Sequence, residues 1–187
     1  MTLENFYYNQ NSNNDFLDIQ EQYLIDTNIL VISQSKKESE ERRLIAAAIV
    51  ESGTIKKNAF VSIQNFVEFV NVIKQKLKSL DDNEIQETLI DFKSAFTVLF
   101  YSENTVSATV KLSSETKVHF FDALLAQTML ENNVRVIYTE NTKDFNKIPG
   151  IKAINPFTDK KIARLCEKAR KQKLKYSVQV KKKIKIK

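Results

Sequence analysis

Short apolar runs alternate with segments of helical periodicity between residues 22 and 154. Runs rich in β-branched and aromatic residues predict strands at residues 22–25, 58–63, 97–101 and 134–139, with a short one at 153–154. Apolar residues spaced three and four apart predict helices over residues 37–52, 64–80, 83–95, 105–112 and 118–131. Strands separated by helices predict an α/β fold with a mostly parallel sheet of four to five strands and helices on both faces.

Two local expectations follow from these helices. Gly53 stands at the end of the helix over residues 37–52, where a residue with positive φ is wanted, so we predict that it ends this helix. In the helix over residues 118–131, Phe121 shares a face with Leu124, Leu125 and Thr128, and we predict that its ring points into the core.

The chain divides into three parts by composition. Residues 1–21 hold five Asn and two Gln without a clear period, and we predict a loosely ordered N-terminal arm. Residues 22–158 suffice for one ordinary domain. Residues 159–187 form a Lys-rich tail with 13 Lys/Arg against 2 acids, although the net charge of the whole chain is only +6. The body that precedes this tail is therefore acidic.

The composition excludes several kinds of reactive site. With only two glycines, far apart, no glycine-rich loop can hold a phosphate. One histidine and one cysteine exclude a disulfide and an ordinary Cys/His zinc site. No apolar run approaches the ~20 residues that span a bilayer, and the first residues lack the basic and apolar regions of a secretion signal. We therefore expect a cytoplasmic protein without a membrane segment, whose chemistry depends on carboxylates.

Four acids lie where the predicted strands end or on the helices beside them. Asp26 ends the first strand, and Glu68 lies in the helix after the second. Asp122 lies in the first turns of the helix before the fourth strand, and Asp144 follows that strand. Active sites of parallel sheets lie at the carboxyl ends of their strands. Converging carboxylates repel one another, and a cation held by oxygen ligands alone would be Mg²⁺ or Mn²⁺.

Each of these acids also has a purely structural interpretation. Asp26 can cap the following helix, and Asp122 can complement a helix dipole. Asp144 can form a turn with neighbouring polar residues. Glu68 lies on the side of its helix opposite the apolar stripe, so it can belong to a solvated face. Its neighbours on that side are mostly uncharged amides, however, which also suit the wall of a polar groove. The apolar stripe consists of Phe66, Val70, Ile73 and Leu77.

At these residues the chain resembles PIN-domain ribonucleases, and especially the VapC-type toxins of prokaryotic toxin–antitoxin pairs. The resemblance runs from about residue 23 to residue 157 and is carried by four motifs, followed by Ile148-Pro-Gly150-Ile and by Ile154-Asn155-Pro156-Phe157. The motifs are Tyr23-Leu-Ile-Asp26-Thr27-Asn28-Ile-Leu30, Val61-Ser-Ile-Gln-Asn-Phe-Val-Glu68-Phe-Val-Asn71, Phe120-Phe-Asp122-Ala-Leu-Leu and Tyr138-Thr139-Glu-Asn141-Thr-Lys-Asp144-Phe145.

The resemblance implies a PIN-like three-layer α/β/α fold and a metal-dependent endoribonuclease. It implies that the acids bind Mg²⁺ or Mn²⁺ and are catalytic, and that four polar neighbours orient carboxylates or waters. The acids are Asp26, Glu68, Asp122 and Asp144, and the polar neighbours are Thr27, Asn28, Thr139 and Asn141. Many relatives carry a fourth acid at the position of Asn141, whereas others have Asn there and Asp three residues later, as here. The separate roles of Asn141 and Asp144 stay open.

As a VapC-like toxin, the protein would cleave RNA, form a homodimer and be inhibited by a cognate antitoxin. Two other functions stay open: a PIN-like module that binds RNA or protein without efficient cleavage, and a housekeeping nuclease. The tail also has several interpretations. In its last part apolar residues alternate with polar residues, mostly lysine, which is typical of a strand with a basic face. Lys181, Lys182, Lys183 and Lys185 could contact RNA phosphates, the segment could join a sheet edge, or the whole tail could be solvated.

Overall fold

The computed structural model describes residue 19 and residues 21–35, 37–78, 80–164 and 166–167. Its strands are Tyr23–Ile25 (β1), Ala59–Ser62 (β2), Thr97–Leu99 (β3), Val136–Tyr138 (β4) and Lys152–Ile154 (β5). They form one sheet in the order β3-β2-β1-β4-β5, and every neighbouring pair is parallel. This confirms the predicted parallel α/β sheet and places β1, which leads to Asp26, at its centre.

Helices connect the strands. They are Thr27–Gln34 (α1), Glu40–Lys56 (α2), Ile63–Asn71 (α3), Asp82–Ala95 (α4), Glu103–Thr116 (α5), Phe120–Glu131 (α6) and Thr142–Phe145 (α7). Side-chain caps fix most of their starts: Ser39, Ser62, Asp81 and Ser102 each accept a hydrogen bond from a backbone N–H of the first turn. The predicted bounds therefore differ from the observed ones by only a few residues at most ends.

The helices cover both faces of the sheet, because apolar side chains of β1 point to both faces. Tyr23 and Ile25 point to one face, where α1 to α4 pack, and Leu24 points to the other, where α5 to α7 pack. All three side chains are completely buried. Because successive side chains of a strand face opposite ways, a continuous apolar run is the pattern expected of a central strand covered on both sides.

Gly53 does not end a helix, which corrects the prediction. It lies inside α2, and the left-handed residue after the helix is Lys57, with φ 52°. A Cβ on Gly53 would lie 2.2 Å from the Cβ of Ala59 and 2.9 Å from the hydroxyl oxygen of Tyr23. The glycine is therefore required by the close approach of α2 to the sheet rather than by its backbone conformation.

The helix predicted over residues 64–80 is divided. α3 ends at Asn71, and a π-helical segment follows over Val72–Leu77. Of the predicted apolar stripe only Ile73 is fully buried, whereas Phe69, outside that stripe, is fully buried as well. Phe66, Val70 and Leu77 are partly buried and pack against the same core cluster, which confirms the stripe. α3 also buries the polar residues Gln64 and Asn65 on the side that faces α1 and α6.

The core extends beyond the predicted domain limits at both ends. Ile19 and Ile162 are buried and pack in the same core cluster. Residues 160–164 are helical. Most of the predicted arm and of the tail lies outside the described residues, including the four lysines considered for RNA binding. Within the described part of the chain, no helix is long and apolar enough to cross a membrane.

Candidate active site

Asp26 lies at the carboxyl end of the central strand, and both of its carboxylate oxygens accept hydrogen bonds. Oδ1 accepts the backbone N–H of Thr27 at 2.7 Å, so Asp26 is indeed the N-cap of α1. Oδ2 accepts from Nδ2 of Asn28 at 2.6 Å and from Oγ1 of Thr139 at 2.5 Å. The capping interpretation is therefore correct but incomplete, because the same carboxylate joins α1 to the segment that follows β4.

Burial raises the pKa of the Asp26 carboxyl to about 6. The hydrogen bonds from Thr139 and Thr27 act in the opposite direction, since they stabilise the ionised form. The negative charges of Glu68 and Asp122 add to the increase. Three acids from separate elements therefore lie within electrostatic reach of one another at this end of the sheet.

Glu68 projects from α3 toward the same place. Its Oε2 accepts from Oγ1 of Thr27 at 2.8 Å, and its Oε1 accepts from Nε2 of Gln64 at 2.7 Å. Asn65 donates through Nδ2 to Oγ1 of Thr27 at 3.0 Å. Gln64 and Asn65 are both buried. The amides beside Glu68 are thus the wall of a polar site and not a solvated face.

Gln64 joins this carboxylate to the helix that carries Asp122. Its Nε2 also donates to the backbone carbonyl of Phe121 at 3.0 Å, so one amide group holds Glu68 and the start of α6 together. The Oε1 atom of Gln64 is buried and has no hydrogen-bond partner among the described residues. The sequence signal for this residue is its spacing, since positions four apart on a helix are neighbours.

Asp122 is held from the side of β4. Asn141 donates through Nδ2 to Oδ2 of Asp122 at 3.0 Å, and its backbone N–H donates to Oγ1 of Thr139 at 2.9 Å. Partial burial raises the pKa of Asp122, the nearby His119 acts against this, and the charges of Asp144 and Glu68 act with it. Asn141 therefore serves as a neutral donor to a carboxylate in a site that is already acidic.

Asp144 differs from the other three acids. Its Oδ1 lies 2.6 Å from Nζ of Lys147, and the ion pair is partly exposed. The hydrogen bond and charge of Lys147 hold the pKa of Asp144 below its usual value. The structure thus joins Asp26, Glu68 and Asp122 through shared hydrogen-bond partners, with Asp144 within electrostatic reach of Asp122 and paired to a lysine.

The start of α6 differs from the prediction. Phe121 does not enter the core: 56% of the residue is exposed. His119 occupies the N-cap position but makes no side-chain capping bond. The Phe121 ring centroid lies 5.8 Å from that of His119 and 5.9 Å from that of Phe120. An exposed aromatic group therefore lies immediately before Asp122.

Arg42 supports the segment after β4 and has no signal in the sequence. Its Nη2 lies 3.0 Å from Oε1 of Glu140, and its Nε lies 2.9 Å from Oε2 of Glu38. Its guanidinium carbon lies 4.1 Å from the ring centroid of Phe157. The backbone N–H of Glu140 donates to Oδ1 of Asn28 at 3.4 Å. Arg42 thus connects α2 with the loop that supplies Thr139 and Asn141.

The charges of the site fit a hard divalent cation. Asp26, Glu68 and Asp122 take part in no ion pair within the described part of the chain. The atoms that these side chains offer as metal ligands are all oxygens, the ligand type that Mg²⁺ and Mn²⁺ prefer. Among the described residues, however, no three acidic, His or Cys side chains are already arranged to hold a metal ion. Both oxygens of Asp26 and of Glu68, and Oδ2 of Asp122, accept hydrogen bonds instead.

The chain belongs to the PIN-domain family. The family model of the PIN domain matches residues 23–151, which contain β1 to β4 and all four acids. The resemblance found in the sequence motifs is thereby confirmed. Membership in this family supports a nuclease. No curated protein sequence matches the chain.

Solved structures of toxins share the fold. A toxin–antitoxin complex from Klebsiella pneumoniae is 24% identical with a TM-score of 0.53, and covers 70% of this chain and 96% of its own. VapBC2 from Rickettsia felis, bound to a DNA fragment from its promoter, is 20% identical with a TM-score of 0.54, covering 71% and 96%. VapC20 from Mycobacterium tuberculosis, a toxin that cleaves the sarcin–ricin loop, is 11% identical with a TM-score of 0.55, covering 70% and 99%. At these identities the likeness concerns the fold.

Proposed function

We propose that the protein is an endoribonuclease that depends on Mg²⁺ or Mn²⁺. The observation that carries the proposal is the approach of Asp26, Glu68 and Asp122 at one edge of the sheet, from three different elements and with no ion pair to any described residue. Ionised carboxylates so placed repel one another unless a cation joins them. Family membership supplies the reaction class, which geometry alone does not define.

In this proposal Asp26, Glu68 and Asp122 hold the metal. A bound divalent cation lowers the pKa of water and offsets negative charge on a phosphate and its leaving oxygen. The other residues orient the carboxylates: Thr27 and Gln64 bond Glu68, and Thr139 bonds Asp26. Attack by water, rather than by the RNA 2′-hydroxyl, leaves 5′-phosphate and 3′-hydroxyl ends.

We further propose that the nuclease is the toxin of a toxin–antitoxin pair, acts as a homodimer in the cytoplasm, and is inhibited by an antitoxin that covers the acidic site. The support is the fold shared with a chain of the Klebsiella pneumoniae toxin–antitoxin complex and with one of the Rickettsia felis VapBC2 structure. A small adjacent reading frame that encodes a DNA-binding protein is the genomic feature that this proposal predicts. The protein that it encodes should abolish RNA cleavage when it is mixed with the nuclease.

The decisive experiment incubates the purified chain with structured RNAs in Mg²⁺ or Mn²⁺. Asp26→Asn and Asp122→Asn are compared with the wild type, and Asp144→Asn is the comparison at the acid that is paired with Lys147. We expect the first two to lose cleavage by more than about a hundredfold, the scale on which removing a group that stabilises the transition state acts. Equal cleavage by all proteins, or no cleavage in any metal, would refute the metal-nuclease proposal.

One observation favours a second candidate function. Asn141 donates to Asp122 at the position where many relatives carry a further acid, so that position supplies a neutral amide instead of a carboxylate. A PIN-like module that binds RNA or protein without efficient cleavage would show RNA binding and no metal-dependent products in the same assay. A housekeeping nuclease would cleave but lack an antitoxin, and sequencing of RNA 5′ ends after brief induction would show its targets.

The basic tail has its own test. Because Ile162 is buried in the core, removing the tail from residue 160 onward would disturb the fold as well as the charge. Replacing Lys181, Lys182, Lys183 and Lys185 with Gln removes four charges and keeps the chain length. If these lysines contact phosphates, RNA affinity falls and depends less on salt, whereas unchanged affinity at low salt refutes a role for them.

A further inference from the structure

An exposed aromatic residue immediately precedes an acidic residue of the site in the chain. Phe121 precedes Asp122 in the first turn of α6, and consecutive Cα atoms are about 3.8 Å apart. More than half of Phe121 is exposed, with a value of 56%. Its neighbours are the His119 and Phe120 rings, with centroids 5.8 Å and 5.9 Å away.

The backbone that carries this ring is fixed from within the site. Nε2 of Gln64 donates to the carbonyl of Phe121 at 3.0 Å and to Oε1 of Glu68 at 2.7 Å. Gln64 itself is buried. Phe121 is therefore an exposed ring on a fixed support, and the hydrogen bonds of that support include a carboxylate of the site.

We propose that Phe121 is a stacking subsite for an unpaired nucleobase of the RNA. This nucleobase flanks the phosphodiester that is hydrolysed at the carboxylates. The proposal rests on the nuclease function proposed above and adds to it the conformation of the substrate. Aromatic side chains that stack on bases contribute about ten- to a hundredfold in affinity per base and tolerate any base. A base within a duplex has both faces covered by its neighbours, so the subsite selects single-stranded RNA, loops or bulges.

A nucleobase fits this surface better than a protein partner does. Protein-binding surfaces are contiguous apolar patches of several hundred Å², whereas the sequence neighbour of Phe121 on one side is the acid Asp122 and His119 lies two residues before. In the chain Phe121 has the Phe120 ring on one side and the acid Asp122 on the other, a combination of apolar and charged neighbours that matches an aromatic base attached to a sugar and a phosphate. The phosphate then lies toward the carboxylates and the base lies on the ring.

The chain contains no tryptophan, so a single introduced tryptophan reports on stacking. The variant Phe121→Trp is prepared in an Asp26→Asn background so that RNA is bound without being cut. Ile90→Trp in the same background is the matched control, because Ile90 is exposed on α4 and α4 packs on the opposite face of the sheet. The probe is a 12-nucleotide single-stranded RNA of mixed sequence in Mg²⁺, compared with the same RNA as a duplex.

We expect the single-stranded RNA to quench the Phe121→Trp emission in a saturable manner, and we expect the duplex and the Ile90→Trp control to give no such quenching. Anisotropy of a labelled RNA then compares side chains at position 121 in the same background. Phe121→Leu should bind about tenfold more weakly, because it keeps apolar bulk but has no ring, and Phe121→Tyr should bind as the wild-type side chain does.

Where RNA binds, three results overturn the proposal: no quenching of Phe121→Trp, equal binding by Phe121→Leu, or equal quenching by the duplex. In each of these cases metal-dependent cleavage by the wild type still supports the nuclease function, so the two failures are distinguishable. Absence of any RNA binding also overturns the stacking proposal. In that case cleavage assays on the wild type still test the nuclease function independently.

Discussion

The hydroxyl of Thr27 donates a hydrogen bond of 2.8 Å to Oε2 of Glu68, which lies 41 positions later in the chain. The same hydroxyl oxygen accepts from Nδ2 of Asn65 at 3.0 Å, and Asn65 is completely buried. Because Thr27 directly follows Asp26, this chain of hydrogen bonds fixes two carboxylates of the site relative to each other. Thr27 is thus more than the first residue of a helix.

Replacing Thr27 with Val keeps the branched shape but removes the hydroxyl. We expect Thr27→Val to lower the free energy of unfolding by about 1–3 kcal/mol, because the buried Asn65 amide loses its acceptor. RNA cleavage should fall too, because Glu68 loses one of its two donors. Thr27→Ser retains the hydroxyl and is the control. Urea denaturation and initial cleavage rates measure both effects, and a Val variant as stable as the Ser variant would contradict this account.

Asn141 and Asp144 can be separated by one substitution each. Asn141→Asp replaces a donor to Asp122 with a fourth negative charge, so the pKa of Asp122 should rise further and metal-free stability should fall by about 1 kcal/mol. Added Mg²⁺ should then stabilise the variant more than the wild type. Thermal unfolding with and without Mg²⁺ measures this.

The matched variant is Asp144→Asn. Asp144 is paired with Lys147 near the surface, and such pairs contribute well under about 1 kcal/mol. We expect little change in stability or in the Mg²⁺ effect. The opposite pattern, with Asp144→Asn losing the Mg²⁺ effect and Asn141→Asp behaving as the wild type, would move the fourth ligand position to Asp144.

The fold could be predicted because its signals are local. Val61 and its neighbours identify a strand by residue type, and Ser62 and Asp81 cap helices through residues three positions away. The carboxyl ends of parallel strands lie at one edge of a sheet, so Asp26 and the helix that carries Glu68 could be placed together there without information on tertiary contacts. Four motifs in family order strengthened this inference.

The contacts that were missed depend on tertiary packing. Arg42 and Glu140 are 98 positions apart, and no period or motif connects them. Phe121 shares the helical phase of core residues, yet it lies in the first turn of α6 and is more than half exposed. Gly53 is required by the hydroxyl of Tyr23 and the side chain of Ala59, whereas the sequence shows only a glycine near a helix end.

Gly53→Ala tests this packing. Alanine normally favours a helix over glycine by about 1 kcal/mol, but here its Cβ would lie 2.2 Å from the Cβ of Ala59, so α2 must move away from the sheet. We expect a net loss of about 2–4 kcal/mol in the free energy of unfolding. Chemical denaturation measures it, and a more stable variant would show that α2 adjusts at no cost. Ala47→Gly, at an exposed position of the same helix, is the control for helix propensity, because it exchanges the same two residue types in the opposite direction without a packing contact to the sheet.

The stacking of Arg42 on Phe157 can be measured by a double-mutant cycle. Arg42→Lys keeps the charge but loses the planar group, and Phe157→Leu keeps apolar bulk but loses the ring. We expect a coupling of about 0.5–1 kcal/mol between them, the usual range for a partly exposed cation–π pair. Additive effects, within about 0.3 kcal/mol, would mean that Arg42 acts only through Glu38 and Glu140.

The effect of Mg²⁺ on stability should depend on the proton of Asp26. Its pKa is raised to about 6 in the folded chain, above the value of about 3.9 expected when unfolded. The folded state therefore binds this proton more tightly, and without metal the contribution of Asp26 to stability falls, by about 2–3 kcal/mol, as the pH rises from 4 through 6. A cation that binds the ionised carboxylate reverses this loss.

Protons and Mg²⁺ therefore compete for the same group. We expect Mg²⁺ to raise the melting temperature clearly at pH 7.5, and its apparent affinity to fall about tenfold for each pH unit below 6. Melting curves at several Mg²⁺ concentrations between pH 5 and pH 8 measure this dependence. Asp26→Asn, which has no proton to lose there, should show a weak Mg²⁺ effect that changes little with pH. Equal Mg²⁺ effects on the wild type at pH 5 and pH 8 would remove Asp26 from the metal site, because a ligand with this pKa must lose its proton before the ion can bind.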